Sequence, residues 1–471
     1  MGVSALEAFP ADEDLDVAIR NFMSWFQEHY GAPLKVKLAP AGQGMRMGVF
    51  ATEAIQAEEK YLSIPLDLTI NPRTMERTAT IGPIVKSLRS KVNRRSTGVG
   101  APETQLMVFL IYEKFVNRES FWKPYLDLLP TELDTPEFYA DEELKWLNGT
   151  GIAEKVRDIR RNRAESYQWF LRDVRTGHED ELPLWAFTNE HWSWAGGITG
   201  TRMIWWDGAP HLVPMLDMIN CRQGPEGFER RVHQTVREGT RAVTKAPWDF
   251  QVGDQIFENY GQPNPTYMLY HGFVIHPNVH DCVHLRPNPK SFSPARLQKL
   301  RQLRLYADEY CLGPGRWNEL FAVARLLAMD QKEFDEMVGN GLSAERVKRP
   351  VSRRTDRAAI TNMLKLLKGA VLDKLPQRPF SVPAEQSGRK EMDVWLNNVL
   401  PAEAKGYRER VARTFVELQR QVLIDMMIEI NEWKSPLTYP GETRPPVDDK
   451  EVIANRRKRR EKSKSNPTDE L

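Results

Sequence analysis

Hydrophobic residues recur at helical spacing in three parts of the chain. Near the N-terminus they predict an amphipathic helix that begins after the acidic residues 12–14. A second helical pattern runs from about residue 75 to residue 200, and a third follows residue 291. The apolar face of the N-terminal helix consists of Leu15, Ile19, Phe22, Met23 and Phe26.

Short extended segments separate these helical regions. Residues 49–52 and 61–70 are apolar runs, and Pro65 marks the second as an edge or irregular strand. Strand patterns return after residue 208, at residues 212–215, 241–245 and 255–260. Because strands flank the middle helical region, the pattern predicts an α+β fold of short β-sheets with a helical insertion, followed by an all-α domain.

Length and composition predict a multidomain globular protein. The chain has 471 residues, more than one hydrophobic core usually supports, and it is 41% hydrophobic and 28% charged. It has no run of 18 apolar residues and no secretory signal pattern in residues 1–10, so we expect neither a membrane span nor export. Three cysteines are too few for a disulfide framework, which favours a reducing compartment.

The end of the chain differs from the rest in composition and charge. Residues 436–471 are rich in Pro, Lys, Arg and Ser, and we predict a disordered basic tail there. Within it, residues 451–464 hold seven Lys and Arg and two Glu, a net charge of +5, so the formal total of +2 leaves −3 for the remainder. Nucleic-acid binding is therefore not expected except through this tail.

The same tail carries two localisation signals that conflict. Residues 456–460 resemble a nuclear localisation cluster, which favours a cytoplasmic or nuclear protein. The final tetrapeptide, Thr468–Leu471, is similar to the ER-retrieval signal with Thr in the place of Lys. The ER lumen is the alternative if an N-terminal signal has been removed.

Three segments that lie far apart in sequence carry the candidate chemistry. They are the glycine-rich segment 42–52, the segment 214–221 with its D-x-x-N pattern, and the segment 258–264 with the triplet Asn-Tyr-Gly. Each alone is weakly informative. The glycine-rich segment lacks the strand–loop–helix setting of a dinucleotide-binding loop, so a Rossmann-type cofactor is not predicted.

In order and spacing these segments resemble the SET-domain protein methyltransferases, specifically the subgroup of the Rubisco large-subunit lysine methyltransferases and the actin histidine methyltransferase. The resemblance covers about residues 30–435 and includes the segment ESFWKPY at 119–125 and YHGF at 270–273. It implies a SET-type fold with a substrate-binding helical domain. The implied boundaries are an N-terminal helix at 1–30, a SET domain at 31–288 with its insertion at about 75–200, the helical domain at 289–435 and the tail at 436–471.

The resemblance also implies S-adenosyl-L-methionine as the cofactor and assigns site residues by position. Tyr260 corresponds to the tyrosine at which the methyl group is transferred, and it would also touch the cofactor. Gly48 and Asn220 correspond to cofactor-holding positions. The other implied cofactor contacts are Met47, Val49, Phe50, Arg202 and Cys221, and the substrate pocket would include Trp205, Trp206, Leu216 and Tyr267.

Methyl transfer to an amine explains these residue types. A sulfonium methyl group must meet a neutral amine in line, so positioning and local electrostatics supply most of the catalysis. A tyrosine hydroxyl can orient the nucleophile without the competing nucleophilicity of Cys or Lys. An apolar, aromatic-walled channel disfavours the ammonium form of lysine and so promotes its deprotonation.

Departures from the subgroup pattern shape the expected function. Cys221 stands where the subgroup usually has His, which keeps open a catalytically silent SET module that serves as a protein-binding scaffold. Where the histidine-methylating relative carries Trp and Asn, this chain has Leu216 and Ile204. We therefore predict a monomeric protein-lysine N-methyltransferase acting on a non-histone protein, with protein-histidine methyltransferase as the further alternative.

A zinc site is the rival chemistry in one short stretch. Imidazole and thiolate are zinc ligands, and five such residues crowd together. No partner Cys pair and no zinc-binding cysteine cluster of the histone-type SET enzymes occurs in the sequence, so we predict no metal site. The five residues are His271, His276, His280, Cys282 and His284.

Overall fold

The computed structural model of the chain describes residues 12–42, 45–92, 98–232, 234–370, 372, 375, 406–433 and 439. The described residues divide into two compact units. Unit 1 comprises those within Met1–His284 and Val371–Val422, and unit 2 those within Leu285–Ala370 and Leu423–Leu471. The predicted basic tail lies outside the described residues, so the predictions that depend on it stay predictions. None of the helices described has both the length and the apolar character needed to cross a membrane.

Unit 1 opens with the predicted amphipathic helix at Asp12–Glu28. Its apolar face is buried, with Phe22 and Phe26 fully enclosed, because one stripe of a surface helix must pack against the core. The insertion is helical as predicted. The α-helices in this region are Pro72–Glu76, Gly82–Lys91, Ala101–Ile111, Lys123–Leu126, Asp141–Leu144, Ile152–Phe170 and Asn189–Arg202. A further short helix, Asn264–Thr266, lies after the strand Phe257–Glu258. Shorter π and 3-10 turns are Tyr112–Val116, Pro136–Phe138, Lys145–Leu147, Leu171–Arg175, Leu216–Met218 and Tyr267–His271.

The strands of unit 1 form several small sheets. The largest is antiparallel, with the spatial order Ala32–Pro33, Lys60–Pro65, Arg241–Lys245, Thr235–Glu238. Separate two-stranded sheets pair Val36–Pro40 with Met47–Ala51, Ile204–Trp206 with Ala209–His211, and Asn220–Cys221 with Phe257–Glu258. Further strands of the chain are Val283–Leu285 and Tyr310–Leu312. Short sheets and a helical insertion confirm the predicted α+β class.

The predicted strand at residues 212–215 is wrong. The preceding strand ends at His211, and Leu212 makes only an isolated bridge to Ile70. Pro214 has no N–H to donate to a ladder. Met215 has φ of 71°, which takes the backbone out of the extended region and into a 3-10 turn. The segment therefore turns sharply just before the D-x-x-N residues.

Part of the long C-terminal helix Tyr407–Asn431 belongs to unit 1. Its apolar residues Val411, Ala412 and Phe415 pack in a second core with Tyr139 and Leu144 of the insertion. Arg408 adds ion pairs to Asp134 and Glu143 at 2.9 and 3.4 Å.

Unit 2 is built mainly from helices that bury apolar residues together with one ion pair. Leu320, Val323 and Leu326 share one face of a helix and are buried. Arg325 and Asp356 are also buried, and their side chains pair at 2.8 Å. The helical elements are Pro289–Ser291, Pro294–Gln302, Asn318–Ala328, Gln331–Gly339, Ala344–Lys348 and Arg353–Ala370.

Candidate active site

The three sequence motifs meet at one place in unit 1. Strand Asn220–Cys221 runs parallel to Phe257–Glu258, with Asn220 opposite Phe257 and Cys221 opposite Glu258. The glycine-rich segment joins them because Ile256 donates its backbone N–H to Val49 O at 2.7 Å. Residues that are distant in sequence are therefore neighbours around these strands.

Gly48 and Asn220 form the contact between two of the motifs. Asn220 Nδ2 donates to Met47 O at 2.9 Å. A Cβ atom at Gly48 would lie 3.2 Å from Asn220 Nδ2 and 2.3 Å from Gln255 Nε2. The second distance is too short for any real Cβ contact, so the chain passes here only as glycine unless Gln255 moves. Met47 and Val49 are buried beside it, and Phe50 is half-buried.

Tyr260 is half-buried, and its hydroxyl is oriented by the backbone. The hydroxyl donates to Ile219 O at 2.6 Å. The ring centroid lies 6.3 Å from that of Tyr267 and 5.7 Å from that of His271. Burial, followed by the charges of neighbouring groups, raises the pKa of Tyr260 well above its ordinary value. The side chain is therefore a neutral phenol whose oxygen lone pairs can still accept a hydrogen bond.

Arg202 and Asp217 form a half-buried charged pair next to Tyr125, with the Arg202 side chain 22% exposed and that of Asp217 3%. Arg202 Nη1 donates to Asp217 O at 2.8 Å and lies 3.5 Å from Asp217 Oδ2, which accepts from the Tyr125 hydroxyl at 2.6 Å. Burial raises the pKa of Asp217, against the opposing effect of Arg202. Arg202 Nε and Asp217 Oδ1 are buried without a hydrogen-bond partner among the described residues. Such atoms are rare in native structures and indicate a place where water or a ligand binds.

Cys221 occupies the position where the resemblance leads one to expect His. Its thiol donates to the Tyr267 hydroxyl at 3.5 Å, and that hydroxyl also accepts from Gln262 N at 3.2 Å. Burial raises the pKa of Cys221 to about 11. The side chain is thus a neutral packing group at ordinary pH, because a thiol reacts as its thiolate.

A cavity of about 970 Å³ lies beside the motif cluster, within unit 1. Tyr260, Arg202 and Leu216 line it, as do Ile204 and Trp205. Tyr260 therefore faces this cavity while its hydroxyl is tied to Ile219, the residue before Asn220.

Two of the predicted pocket residues lie elsewhere. Trp206 follows Trp205 on a strand, so the two side chains point to opposite faces. The Trp206 indole donates from Nε1 to Thr235 O at 2.9 Å. Tyr267 is fully buried, stacked on Phe273 with a centroid distance of 5.2 Å. Neither lines the cavity. Trp206 instead bonds the hairpin at residues 204–211 to Thr235, and Tyr267 contacts Cys221 in the interior.

His271 is a cavity residue that the sequence suggested only as a metal ligand. Burial, partly offset by a hydrogen bond to the backbone of Thr201, lowers its pKa to about 4. It ends the π-helical turn Tyr267–His271, a conformation frequent at functional sites. No local sequence pattern marks such a turn. The Tyr125–Asp217 contact was also missed, since only packing brings those residues together.

The chain is similar in sequence to the actin-histidine N-methyltransferases. It is 30% identical over 281 residues to those of Mus musculus and Rattus norvegicus, and 29% identical to that of Homo sapiens. Each alignment covers 56% of this chain and 44% of the relative, so the match spans less than half the length of these curated proteins. No protein-family model matches the chain.

The fold is similar to solved structures of Rubisco LSMT. A structure bound to AdoMet (S-adenosyl-L-methionine) has a TM-score of 0.65 at 20% identity and covers 88% of this chain and 92% of that one. The SET domain of LSMT bound to lysine and AdoHcy has a TM-score of 0.65 at 19% identity, over 89% and 92% of the two chains. This agreement confirms the predicted SET-type fold. The chain therefore has the fold of the Rubisco LSMT structures and is similar in part of its sequence to the actin-histidine N-methyltransferases.

Proposed function

We propose that the chain is an AdoMet-dependent protein N-methyltransferase in which the methyl group is transferred beside Tyr260. The observation that carries the proposal is the position of Tyr260 between the cavity and the motif residues. Its ring lines the large cavity, and its hydroxyl is bonded next to Asn220, which contacts the glycine-rich segment. Sequence similarity to methyltransferases and a fold shared with AdoMet-bound structures support it.

The residues around Asn220 fit the proposed cofactor. When bound, AdoMet supplies an activated methyl group on a sulfonium. Gly48 leaves no side chain between the glycine-rich backbone and Asn220. Burial lowers the pKa of Arg46, and the charge of Arg202 lowers it further. Arg202 lines the cavity, and its guanidinium would bind the cofactor carboxylate.

The acceptor side is defined by side chains of the cavity. Leu216 is buried in its wall, and Ile204 lines it as well. Neither can hydrogen-bond the ring nitrogen of a histidine acceptor, whereas an apolar wall favours the neutral amine of lysine. Lysine is therefore the proposed acceptor. Histidine is the second candidate because the sequence relatives are named actin-histidine N-methyltransferases.

Within this mechanism Tyr260 positions the nucleophile. Its proton is committed to Ile219 O, so its oxygen can accept from the acceptor N–H and aim the nitrogen lone pair at the methyl group. Its raised pKa keeps it neutral, so it does not compete as a phenolate nucleophile.

The test compares Tyr260→Phe with the wild type and with Tyr30→Phe, whose side chain is 80% exposed. AdoMet binding is measured by calorimetry, and transfer of labelled methyl groups is measured in lysate. We expect Tyr260→Phe to bind AdoMet normally and to lose roughly 100-fold or more in transfer, as when one positioned polar group is removed. Tyr30→Phe should match the wild type.

Three outcomes would contradict parts of the proposal. Absence of AdoMet binding to the wild type at millimolar ligand would favour the silent scaffold. Full activity of Tyr260→Phe would remove Tyr260 from the mechanism. Hydrolysis of the labelled protein to methylhistidine, instead of Nε-methyllysine, would make histidine the acceptor.

A further inference from the structure

Three large apolar side chains that line the cavity are also exposed to solvent. They are Trp205, Tyr270 and Val232, with exposed fractions of 65%, 45% and 38%, and we call them the apolar rim. Single exposed apolar residues are ordinary, but several around one cavity indicate a surface that binds another molecule. Aromatic side chains in particular provide a large contact area at low conformational cost.

The hairpin fixes Trp205 in its exposed position. Trp205 lies opposite Pro210 in the antiparallel pair, and its neighbour Trp206 anchors the same strand through Thr235. Alternation along the strand then directs Trp205 away from the anchored face. The exposure of Trp205 thus follows from the alternation of side chains along the strand.

The other two rim residues adjoin the residues around Tyr260. A Cβ atom on Gly261, which follows Tyr260, would lie 2.5 Å from Val232 Cγ1. Tyr270 directly precedes His271, whose ring centroid is 5.7 Å from that of Tyr260. The rim therefore borders the place where the acceptor side chain would enter.

An exposed part of the cavity lining carries no side chain at Gly200. Gly200 lines the cavity within the helix Asn189–Arg202, and a Cβ atom there would meet nothing within 4 Å. Glycine is a poor helix former, so helix stability does not explain it. Without a side chain at Gly200, a substrate backbone can approach the helix closely.

We propose that the apolar rim binds a large aliphatic or aromatic side chain of the substrate polypeptide, one or two residues from the methylated residue. The inference rests on the proposed function. An extended chain advances about 3.3 Å per residue and alternates its side chains, so a residue two positions from the acceptor lies about 7 Å away on the same face. The rim is then the specificity-determining part of the site.

The experiment uses peptides with one acceptor, Lys or His, in a Gly/Ser background. Leu, Ser, Asp or Arg is placed in turn at each of the two positions on either side. We expect kcat/KM for the best Leu peptide to exceed that of the Ser peptide by roughly 10- to 100-fold, the range for one apolar group in a pocket. Asp and Arg should give no gain, since the rim has no charged member.

Matched variants assign the preference to the rim. Trp205→Ala should abolish the Leu preference. Trp185→Ala should keep it, because Trp185 is equally exposed, at 66%, and does not line the cavity. Gly200→Leu should raise KM for all peptides, whereas Gly200→Ala should fold at least as stably as the wild type.

The inference is overturned if Leu peptides are no better than Ser peptides, or if Trp205→Ala and Trp185→Ala behave alike. It is also overturned if the protein binds AdoMet but labels no peptide of the set. Failure of the proposed function is distinguishable, since the wild type would then bind no AdoMet or transfer no labelled methyl group in lysate.

Discussion

The buried ion pair of unit 2 allows a prediction whose size follows from its contacts. Arg325 and Asp356 side chains are 3% and 0% exposed, and Arg325 donates from Nε to Oδ1 at 2.8 Å and from Nη2 to Oδ2 at 3.2 Å. Arg325 Nη1 also donates to Lys348 O at 2.6 Å. Its guanidinium carbon lies 3.8 Å from the centroid of the Phe321 ring. Arg325→Met would keep the volume and remove all these donors.

The expected cost is dominated by the carboxylate left behind. Removing one partner of a buried ion pair costs about 3–5 kcal/mol, because the other charge stays buried without compensation. In a helical unit of this size each kcal/mol corresponds to about 4 °C or more in Tm, so the transition of unit 2 should fall by at least about 12 °C. Replacing both residues, Arg325→Met with Asp356→Leu, should recover most of this loss, since no unpaired charge remains.

The assay is thermal unfolding at pH 7 of the two single variants, the double variant and the wild type. The exposed pair Lys332–Glu336, at 3.9 Å, supplies the control, and Lys332→Met should change stability by less than about 0.5 kcal/mol. A cost below about 1 kcal/mol for Arg325→Met would refute the reasoning. So would a double variant whose loss equals the sum of the two single losses.

Three further predictions concern unit 1. Asn220→Ala, which removes the bond to Met47 O, should weaken AdoMet binding roughly 10-fold or more in calorimetry, while Asn278→Ala should not. His271 has a folded pKa of about 4, below its unfolded value, so its contribution to stability is complete above pH 6.5 and is lost as the pH falls toward 4. Urea unfolding should show a loss of about 3 kcal/mol over that range which is absent in His271→Gln. Cys221, with a pKa of about 11, should react with iodoacetamide at pH 8 more than about 100-fold slower in the native than in the unfolded protein.

Each of these has an outcome that contradicts it. Equal AdoMet affinity in the Asn220 and Asn278 variants would separate Asn220 from cofactor binding. An unchanged pH dependence in His271→Gln would assign the acid loss to other groups. Rapid labelling of native Cys221 would mean that its thiol is exposed or ionised.

The sequence alone determined the local elements and the family resemblance. The N-terminal helix, the helical insertion and the strand at residues 241–245 follow from spacing, because hydrophobic periodicity is a property of neighbouring residues. The SET-type fold followed from the order of three motifs, each weak by itself. The roles of Tyr260, Gly48 and Asn220 stay predictions, although the structure brings their motifs together.

Only the tertiary structure decided which of these residues face the cavity. The alternation of side chains along the strand directs Trp205 and Trp206 to opposite faces, although the two residues are adjacent and chemically alike. Packing brings His271 beside Tyr260 and Tyr125 beside Asp217, and no local pattern encodes either contact. Side-chain direction and burial depend on partners that lie far away in the chain, and a sequence read residue by residue contains no distances between them.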